Sequence, residues 1–513
     1  MEKETPPRES GSNWVLLLLA FVLLCVANGR WHMAPAAWLA PVFLLLFVQS
    51  QPLGRGLGYA FLAQLLAFFV NWRDMIPVPG LWYYLVAGIY ATVYFLPFVL
   101  HRLIAPRIGG FRSTLVFPVS WVAIEFLFQK FITPYGSWAS LAYTQTAFLP
   151  LIQLASVTGL GGIHFMMTWS AAVVAWARQE GAPFSRVRTG VVTCGTVLLA
   201  LVLWGQWRIV SAPKDPPLLR VAALTPSATL GRELQNELAS LATLSSVDES
   251  SLAVASEIAE RLNNDLIERT RREARAGADL IVWSEHAARV TRHTEAQFIE
   301  RVQALAGSNG VPLILGVGLW DPESHPAFEN KAVMIDTSGA LSGTYHKARP
   351  IVGQESGLIP KGDAGIATME TARGRFGIVI CHDLDFPSLL REAGRKGVVV
   401  LFGPSADWDA ITPFHARMAV LRAVENGCSL VRPCSSGLSL VVDPLGRTVA
   451  SQIDRGDNGN VVVAQVPLFR MGTSYPIIGD SFAYANLLAL AFFLATRFRA
   501  TALHDGSAKG ASR

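Results

Sequence analysis

Between Trp14 and Arg208 the chain carries three acids (Asp74, Glu125, Glu180) and eleven bases. Fourteen charges in 195 residues is about 7 %, against 67 in the other 318, about 21 %. Soluble domains carry about 25 % charged residues. A stretch this long and this poor in charge cannot make the solvated surface of a globular domain. The chain therefore divides into a membrane part and a globular part. With 51 % hydrophobic residues overall, disorder is excluded for all but the tails. Five cysteines make no disulfide framework, and no CxxC or His/Cys cluster indicates structural zinc.

A hydrocarbon core of about 30 Å needs roughly 20 apolar residues as helix. Seven such stretches precede residue 209: 14–29, 31–49, 55–72, 81–104, 113–129, 147–177 and 189–208. An eighth, weaker one lies near 480–497. The first lacks a small-residue cleavage site and more spans follow at once, so it reads as a span rather than a signal peptide. The sixth is longer than needed and holds Gly159, Gly161 and Gly162, which predicts a tilted or broken helix. With the N-terminus inside, the inner segments hold thirteen Lys and Arg and the short outer loops three (Arg30, Arg73, Lys130). Both tails, 1–13 and 498–513, are then cytoplasmic and the globular part lies outside. The pI near 9.0 is mostly this positive-inside arginine, with no basic and aromatic stripe for nucleic acid.

Two membrane features have alternative readings. Glu125, midway through a span, is either a functional carboxylate or a helix-packing hydrogen-bond acceptor. The loop Ile132–Trp138, with Tyr143, is either a functional aromatic loop or an interfacial belt.

Ala212-Pro213-Lys214-Asp215-Pro216-Pro217 is a linker, and beyond it short β-branched runs alternate with helical patterns over 213–470. Strands are predicted at 218–224, 278–283, 311–317, 332–336, 343–346, 376–381, 398–402, 429–432, 438–442, 448–451 and 460–466. Helices are predicted at 252–274, 298–306, 387–394 and 413–425. This is an α/β layered domain. No GxGxxG or Walker loop follows a strand, and there is no Gly-x-Ser-x-Gly elbow.

Glu285, Lys347 and Cys381 stand at the ends of separate predicted strands, where side chains reach a common crevice. The set is chemically complete for acyl transfer. A free thiol, with a pKa of about 8.5, is mostly protonated at neutral pH. A carboxylate takes its proton, and an ammonium stabilises the thiolate and then the oxyanion. Taken singly, each has a plainer role: a buried thiol as a small hydrophobe, a Glu–Lys pair as a structural ion pair.

Trp283-Ser284-Glu285, Tyr345-His346-Lys347, Gly353-Gln354-Glu355 and Ile380-Cys381-His382-Asp383 together resemble the carbon–nitrogen hydrolase (nitrilase) superfamily, and within it the apolipoprotein N-acyltransferase family. The resemblance implies an α-β-β-α sandwich inserted before the last of about eight transmembrane helices. It implies Glu285 as base, Lys347 as oxyanion lysine, Cys381 as nucleophile and Glu355 as a supporting glutamate. His382 is functional or a structural polar group; Asp383 orients Lys347 or the loop, or caps the next helix. His415, Arg422 and Glu425, then Ser435-Ser436-Gly437, resemble the downstream segment, and Trp121 to Glu125 the family's Trp-x-x-x-Glu helix. The chain departs from the pattern at Ser284, His382, Asp383 and across Gly403-Pro404-Ser405-Ala406-Asp407-Trp408.

The implied activity is transfer of an acyl chain from a phospholipid to the N-terminal amine of a lipid-modified cysteine on a lipoprotein, through a Cys thioester. The implied place is the bacterial inner membrane, with the catalytic domain periplasmic and no cofactor or metal. The alternatives are a membrane-anchored amidase, an acyltransferase with another acceptor, and a non-catalytic lipid-binding scaffold. Cys428 and Cys434 are core thiols that an oxidising compartment would allow to pair; Cys25 and Cys194 fill spans.

Overall fold

The computed structural model describes residues 10–179, 184–241, 249–321, 324–363, 365–454 and 457–510. Residues 1–9 and 511–513 of the two tails lie outside the described residues. Two compact units result. One is helical: residues up to Thr133, Trp138–Arg208 and Ile478 onward. The other comprises Pro134–Ser137 and Ile209–Ile477.

In the helical unit, α1 (Ser10–Cys25), α2 (Ala34–Ser50), α3 (Leu53–Asn71), α4 (Leu81–Ile108) and α5 (Val116–Phe131) follow in order. The stretch 147–177 is three pieces, α6 (Leu149–Ile152), α7 (Ala155–Thr158) and α8 (Leu160–Gln179). Gly159, at φ +60°, makes the second break, a conformation that costs an L side chain but not glycine. α9 (Phe184–Val210) and a last helix, Ser481–Gly510, complete the unit. Five of its helices are long and apolar enough to cross a membrane, with shorter apolar helices beside them. α3 buries Gly56, Ala60, Ala63 and Ala67, small residues spaced three and four apart that let helices approach closely. α9 instead exposes Val192, Leu199 and Leu203, a surface suited to hydrocarbon rather than water.

Glu125 is a hydrogen-bond hub inside this bundle. It accepts from Tyr94 Oη (3.1 Å) and Gln129 Nε2 (2.9 Å) and pairs with His164 Nδ1. His164 Nε2 accepts the Ala142 N–H at 3.1 Å. Two hydroxyl and amide donors and the close imidazole engage Glu125, and the same histidine pins the 3₁₀ turn Leu141–Gln145 that holds buried Tyr143. The packing reading of Glu125 accounts for its geometry.

The second unit is α/β. β1 (Leu218–Leu224) leads through α10 (Ala228–Leu241) and α11 (Glu249–Arg275) to β2 (Leu280–Trp283) and β3 (Ala288–Thr291). α12 (Arg292–Asn309), β4 (Leu313–Trp320), β5 (Phe328–Ile335) and β6 (Leu341–His346) follow. With β15 (Val461–Pro467) returning to it from the end of the domain, the first sheet has the order β15-β1-β2-β4-β5-β6, with β3 also beside β4. α11 and α12 close one face of it over a core that includes Leu266, Trp283, Phe298 and Leu315.

The second sheet is built from β7 (Ala367–Thr371), β8 (Gly374–Ile378), β9 (Val400–Phe402), β11 (Ser429–Arg432), β13 (Leu438–Val442) and β14 (Thr448–Ile453). Its order is β14-β13-β11-β9-β8-β7. α13 (Pro387–Arg395) and α14 (Thr412–Asn426) belong to this half. A two-stranded ladder pairs β10 (Ser405–Ala406) with β12 (Cys434–Ser435), and β15 (Val461–Pro467) returns to the first sheet. Elements β3, β7, β10, β12 and α10 were not expected from the sequence.

One site residue, Cys381, lies farther from its strand than expected, while β2 ends where the sequence placed its end. β2 ends at Trp283, two residues before Glu285; β8 ends at Ile378, not at Cys381, which opens a 3₁₀ turn, Cys381–Asp385. All five cysteines are free, so Cys428 and Cys434 do not pair.

Candidate active site

β2 and β3 are two halves of one line of strand beside β4. β2 pairs with Leu313 and Ile314, β3 with Val317 to Trp320. Between them the chain leaves the sheet, with His286 at φ +52°, and this excursion carries Glu285. Gly316 makes room for it: a Cβ there would lie 1.9 Å from the Ser284 carbonyl oxygen and 3.0 Å from Glu285 Cα. The close approach requires glycine.

Glu285 is buried and fully engaged. Oε1 accepts from Lys347 Nζ (2.8 Å) and Asn330 Nδ2 (2.7 Å), and Oε2 from the Ala406 N–H (2.9 Å). Lys347, just past β6, is wholly buried and also reaches Glu355 Oε1 at 2.8 Å. Glu355 is fixed in turn, its Oε2 accepting the Ile351 N–H at 2.7 Å.

Cys381 sits at φ +46°, a conformation costing a non-glycine residue on the order of 1–3 kcal/mol. Its surroundings impose it: the Cys381 N–H donates to the Pro404 carbonyl at 2.9 Å, and Asp383 Oδ2 accepts the Ile380 N–H at 2.9 Å. The thiol lies 3.7 Å from the Ala406 carbonyl oxygen. The structure thus brings Glu285, Lys347, Glu355 and Cys381 to one centre.

His382 and Asp383 tie the lysine loop to the thiol turn. Asp383 accepts from Tyr345 Oη and from the Arg349 N–H, both at 2.8 Å, while His382 Nδ1 donates to the Arg349 carbonyl at 2.9 Å. Asp383 therefore both caps the 3₁₀ turn and orients the loop after Lys347. Ser137 donates its N–H (2.9 Å) and Oγ (2.7 Å) to the Asp385 carbonyl, and Tyr135 Oη donates to the Val352 carbonyl at 3.1 Å. These two residues of the aromatic loop thus belong to the globular unit.

Burial favours the neutral Glu285 carboxyl, but the Lys347 ammonium outweighs it and brings the group to about 2. Burial opposes the ammonium, and the charges of Glu285 and Glu355 hold it above the usual lysine range. Burial, then the Glu285 charge, pushes the thiol well above its usual range, and burial likewise raises Glu355. The resting centre is an ion pair beside a protonated thiol.

Next to the thiol lies a charged cluster that sequence reasoning did not assemble, although it named His415 in the downstream segment. His415, on α14, meets Asp407 Oδ1 at 2.7 Å and Asp385 Oδ1 at 3.1 Å; Arg432 Nη2 also donates to Asp407 Oδ1 at 2.7 Å. Burial disfavours the imidazolium, but Asp385 and Asp407 raise His415 to about 9. Of the other downstream residues, Arg422 and Glu425 form a fully buried pair at 2.9 Å, and Ser436 donates its N–H to Asp454 Oδ2 at 3.1 Å. Asn330, His286, Asp385, Asp407 and Arg432 gave no motif; a buried amide inside the β5 run Phe-Glu-Asn-Lys-Ala was the available signal.

Two donor groups, Cys381 with Asp407 and His415, and Glu285 with His286 and Glu355, lie within metal-binding reach of one another. Each already holds a cation: Arg432 and His415⁺ on Asp407, Lys347 on the two glutamates. These cations supply the positive charge that a metal ion would bring, and they oppose its entry.

Fold and site define a carbon–nitrogen hydrolase domain carried with a bundle of apolar helices. Residues 247–474 match the carbon-nitrogen hydrolase family model, and residues 15–173 match the apolipoprotein N-acyltransferase N-terminal domain. An apolipoprotein N-acyltransferase of Geobacter metallireducens is 28 % identical over 534 residues, covering 96 % of each chain. One from Rickettsia typhi is 23 % identical over 414 residues, covering 76 % of this chain and 77 % of the relative. Among solved structures, an amidase from Nesterenkonia sp. is similar at 18 % identity and TM-score 0.40, covering 53 % of this chain and 97 % of that one. The chain belongs to the apolipoprotein N-acyltransferase family, an enzyme family of the carbon–nitrogen hydrolase superfamily.

Proposed function

We propose that this protein transfers an acyl chain from a phospholipid to the N-terminal amine of a diacylglyceryl-modified cysteine on a lipoprotein, with Cys381 as the acyl carrier. The observation that carries the reading is the convergence of Glu285, Lys347 and Cys381 in one buried centre. Glu285 takes the thiol proton as the sulfur attacks the ester carbonyl. Lys347 holds the oxyanion, with Glu355 steadying it. The intermediate collapses to a thioester, and the lysophospholipid alkoxide leaves with the proton from Glu285. The acceptor amine then attacks the thioester, Glu285 takes the amine proton, and the thiol re-forms as the amide is released. Burial of the centre supports transfer over hydrolysis, because water must be kept from the thioester.

The same reading makes the membrane domain 14–208, with seven helices, the hydrolase domain 213–470 and a last span 474–497, eight spans in all. Both tails lie in the cytoplasm and the catalytic domain on the periplasmic side of a bacterial inner membrane. The bias of thirteen against three loop cations supports this sidedness. Both substrates are lipid-anchored, so a membrane enzyme meets them at high effective concentration. Purified protein incubated with acyl-labelled phospholipid should carry one acyl group on Cys381 by mass spectrometry and release lysophospholipid before any amine is added. Lyso-product without a protein-bound acyl group would overturn the covalent reading.

A further inference from the structure

The thiol turn and the segment facing it are both too short to hold their own positions. The turn is the 3₁₀ stretch Cys381–Asp385, with Cys381 at φ +46°. The facing segment is β10, Ser405–Ala406, and its ladder with β12 is two residues long. Yet one peptide of that segment touches both reacting groups. The Ala406 N–H donates to Glu285 Oε2 at 2.9 Å, and the Ala406 carbonyl oxygen lies 3.7 Å from Cys381 Sγ. Any shift of this peptide against the turn changes how base and thiol face each other, and a misplacement of about 1 Å can cost about 10²-fold in rate.

Two ties join the turn to the segment. At the start of the turn the Cys381 N–H donates to the Pro404 carbonyl at 2.9 Å. At its end, Asp385 Oδ1 lies 3.1 Å from His415 Nε2, and His415 Nδ1 lies 2.7 Å from Oδ1 of Asp407, the residue after Ala406. Only an imidazolium has a proton on both nitrogens, so only the charged ring donates to both carboxylates. Burial disfavours that charge, but Asp385 and Asp407 raise His415 to about 9. The ring comes from α14, so the second tie is anchored in an element outside both segments. Arg432 Nη2 donates to the same Asp407 oxygen at 2.7 Å and lies 2.8 Å from His415 Nδ1, so one carboxylate draws two cations together. Two acids face two cations, all four buried. A ring nitrogen, an Asp407 oxygen and Cys381 Sγ lie within 4.8 Å of one another. Resting on the acyl-transfer reading above, we propose that His415 is a positioning residue: by bridging Asp385 and Asp407 it fixes the thiol turn against the Ala406 peptide and keeps Cys381 Sγ aligned with Glu285. It acts through these two segments and takes no proton from the thiol.

The test uses the full chain in maltoside micelles and two reagents. Iodoacetamide needs no lipid: the Cys381 sulfur displaces iodide while Glu285 takes the thiol proton, and peptide mass spectrometry reads alkylation at Cys381. Acyl-labelled phospholipid reports the single-turnover acylation rate against donor concentration. A Gln side chain donates to only one of the two carboxylates, so His415→Gln should lower both rates at least about tenfold and leave donor half-saturation unchanged. Asp385→Ala frees the end of the turn while His415 stays on Asp407. It should lower both rates in the same way, which keeps the test open if His415→Gln fails to fold. Wild-type alkylation in a folded variant of either kind, or a raised half-saturation at an unchanged acylation rate, would overturn the proposal. Alkylation slowed by both variants, in a protein whose Cys381 never takes an acyl group from phospholipid, would sustain the bridge and refute the acyl-transfer reading instead.

Discussion

Replacing Glu285 by Gln removes a charge while keeping shape, and the structure sets the cost. The carboxylate accepts from Lys347, Asn330 and the Ala406 N–H. An amide keeps one acceptor oxygen, enough for Lys347 and Asn330, but turns its NH₂ toward the Ala406 N–H, two donors face to face. The wholly buried ammonium of Lys347 is left with Glu355 as its one carboxylate. Breaking a buried pair costs about 3–5 kcal/mol when the remaining charge has no other partner. Glu355, also 2.8 Å from Nζ, keeps the loss below that range, at about 2 kcal/mol. The variant should therefore fold with a modestly lowered Tm. Chemistry should suffer far more, because general-base removal typically costs about 10²–10⁴-fold. Lysophospholipid release in a single turnover, followed beside a thermal melt, separates the two effects. A folded Glu285→Gln variant acylating Cys381 within tenfold of the wild-type rate would refute the assignment of Glu285 as base.

Other perturbations follow from the same geometry. Cys381→Ala should abolish the bound acyl group seen by mass spectrometry, whereas Cys428→Ala and Cys434→Ala should retain it. Glu355→Gln should slow acylation less than Glu285→Gln, since it removes a partner of Lys347 and not the proton acceptor; equal losses in single-turnover rate would contradict this order. His415 is raised from 6.5 to about 9 by Asp385 and Asp407, so its contribution is complete below about pH 6.5 and is lost as pH rises through 9. His415→Gln should flatten the fall in Tm between pH 6.5 and 9, and an unchanged slope would show that the imidazolium clamps nothing. Glu125→Ala strands the donors of Tyr94, Gln129 and His164, and limited proteolysis should then cut near the turn Leu141–Gln145 while the globular unit stays resistant.

What could be read from the chain beforehand was whatever its local pattern encodes. Charge depletion marks apolar helices over tens of residues, and Trp283-Ser284-Glu285 and Ile380-Cys381-His382-Asp383 are contiguous, so they survive without knowledge of the fold. β3 is four residues long and is a strand only because Val317–Trp320 lies beside it; nothing within Ala288–Thr291 distinguishes it from a loop. The same holds for the two-residue partners β10 and β12. Asn330, Asp407 and Arg432 reach the site from elements 45 to 147 residues away from Glu285, through pairings that local periodicity does not express. The misplaced end of β8 has a related cause. Isoleucine and valine run on through Val379 and Ile380, so periodicity extends β8 to the cysteine, yet Cys381 must turn to φ +46° for its N–H to meet Pro404. Glu285 and Cys381 are thus both displaced from regular strand by backbone excursions, with His286 and Cys381 in the left-handed region. Local preference and tertiary demand disagree at the positions where the base and the nucleophile are aimed at one another, and that disagreement is itself a mark of a site.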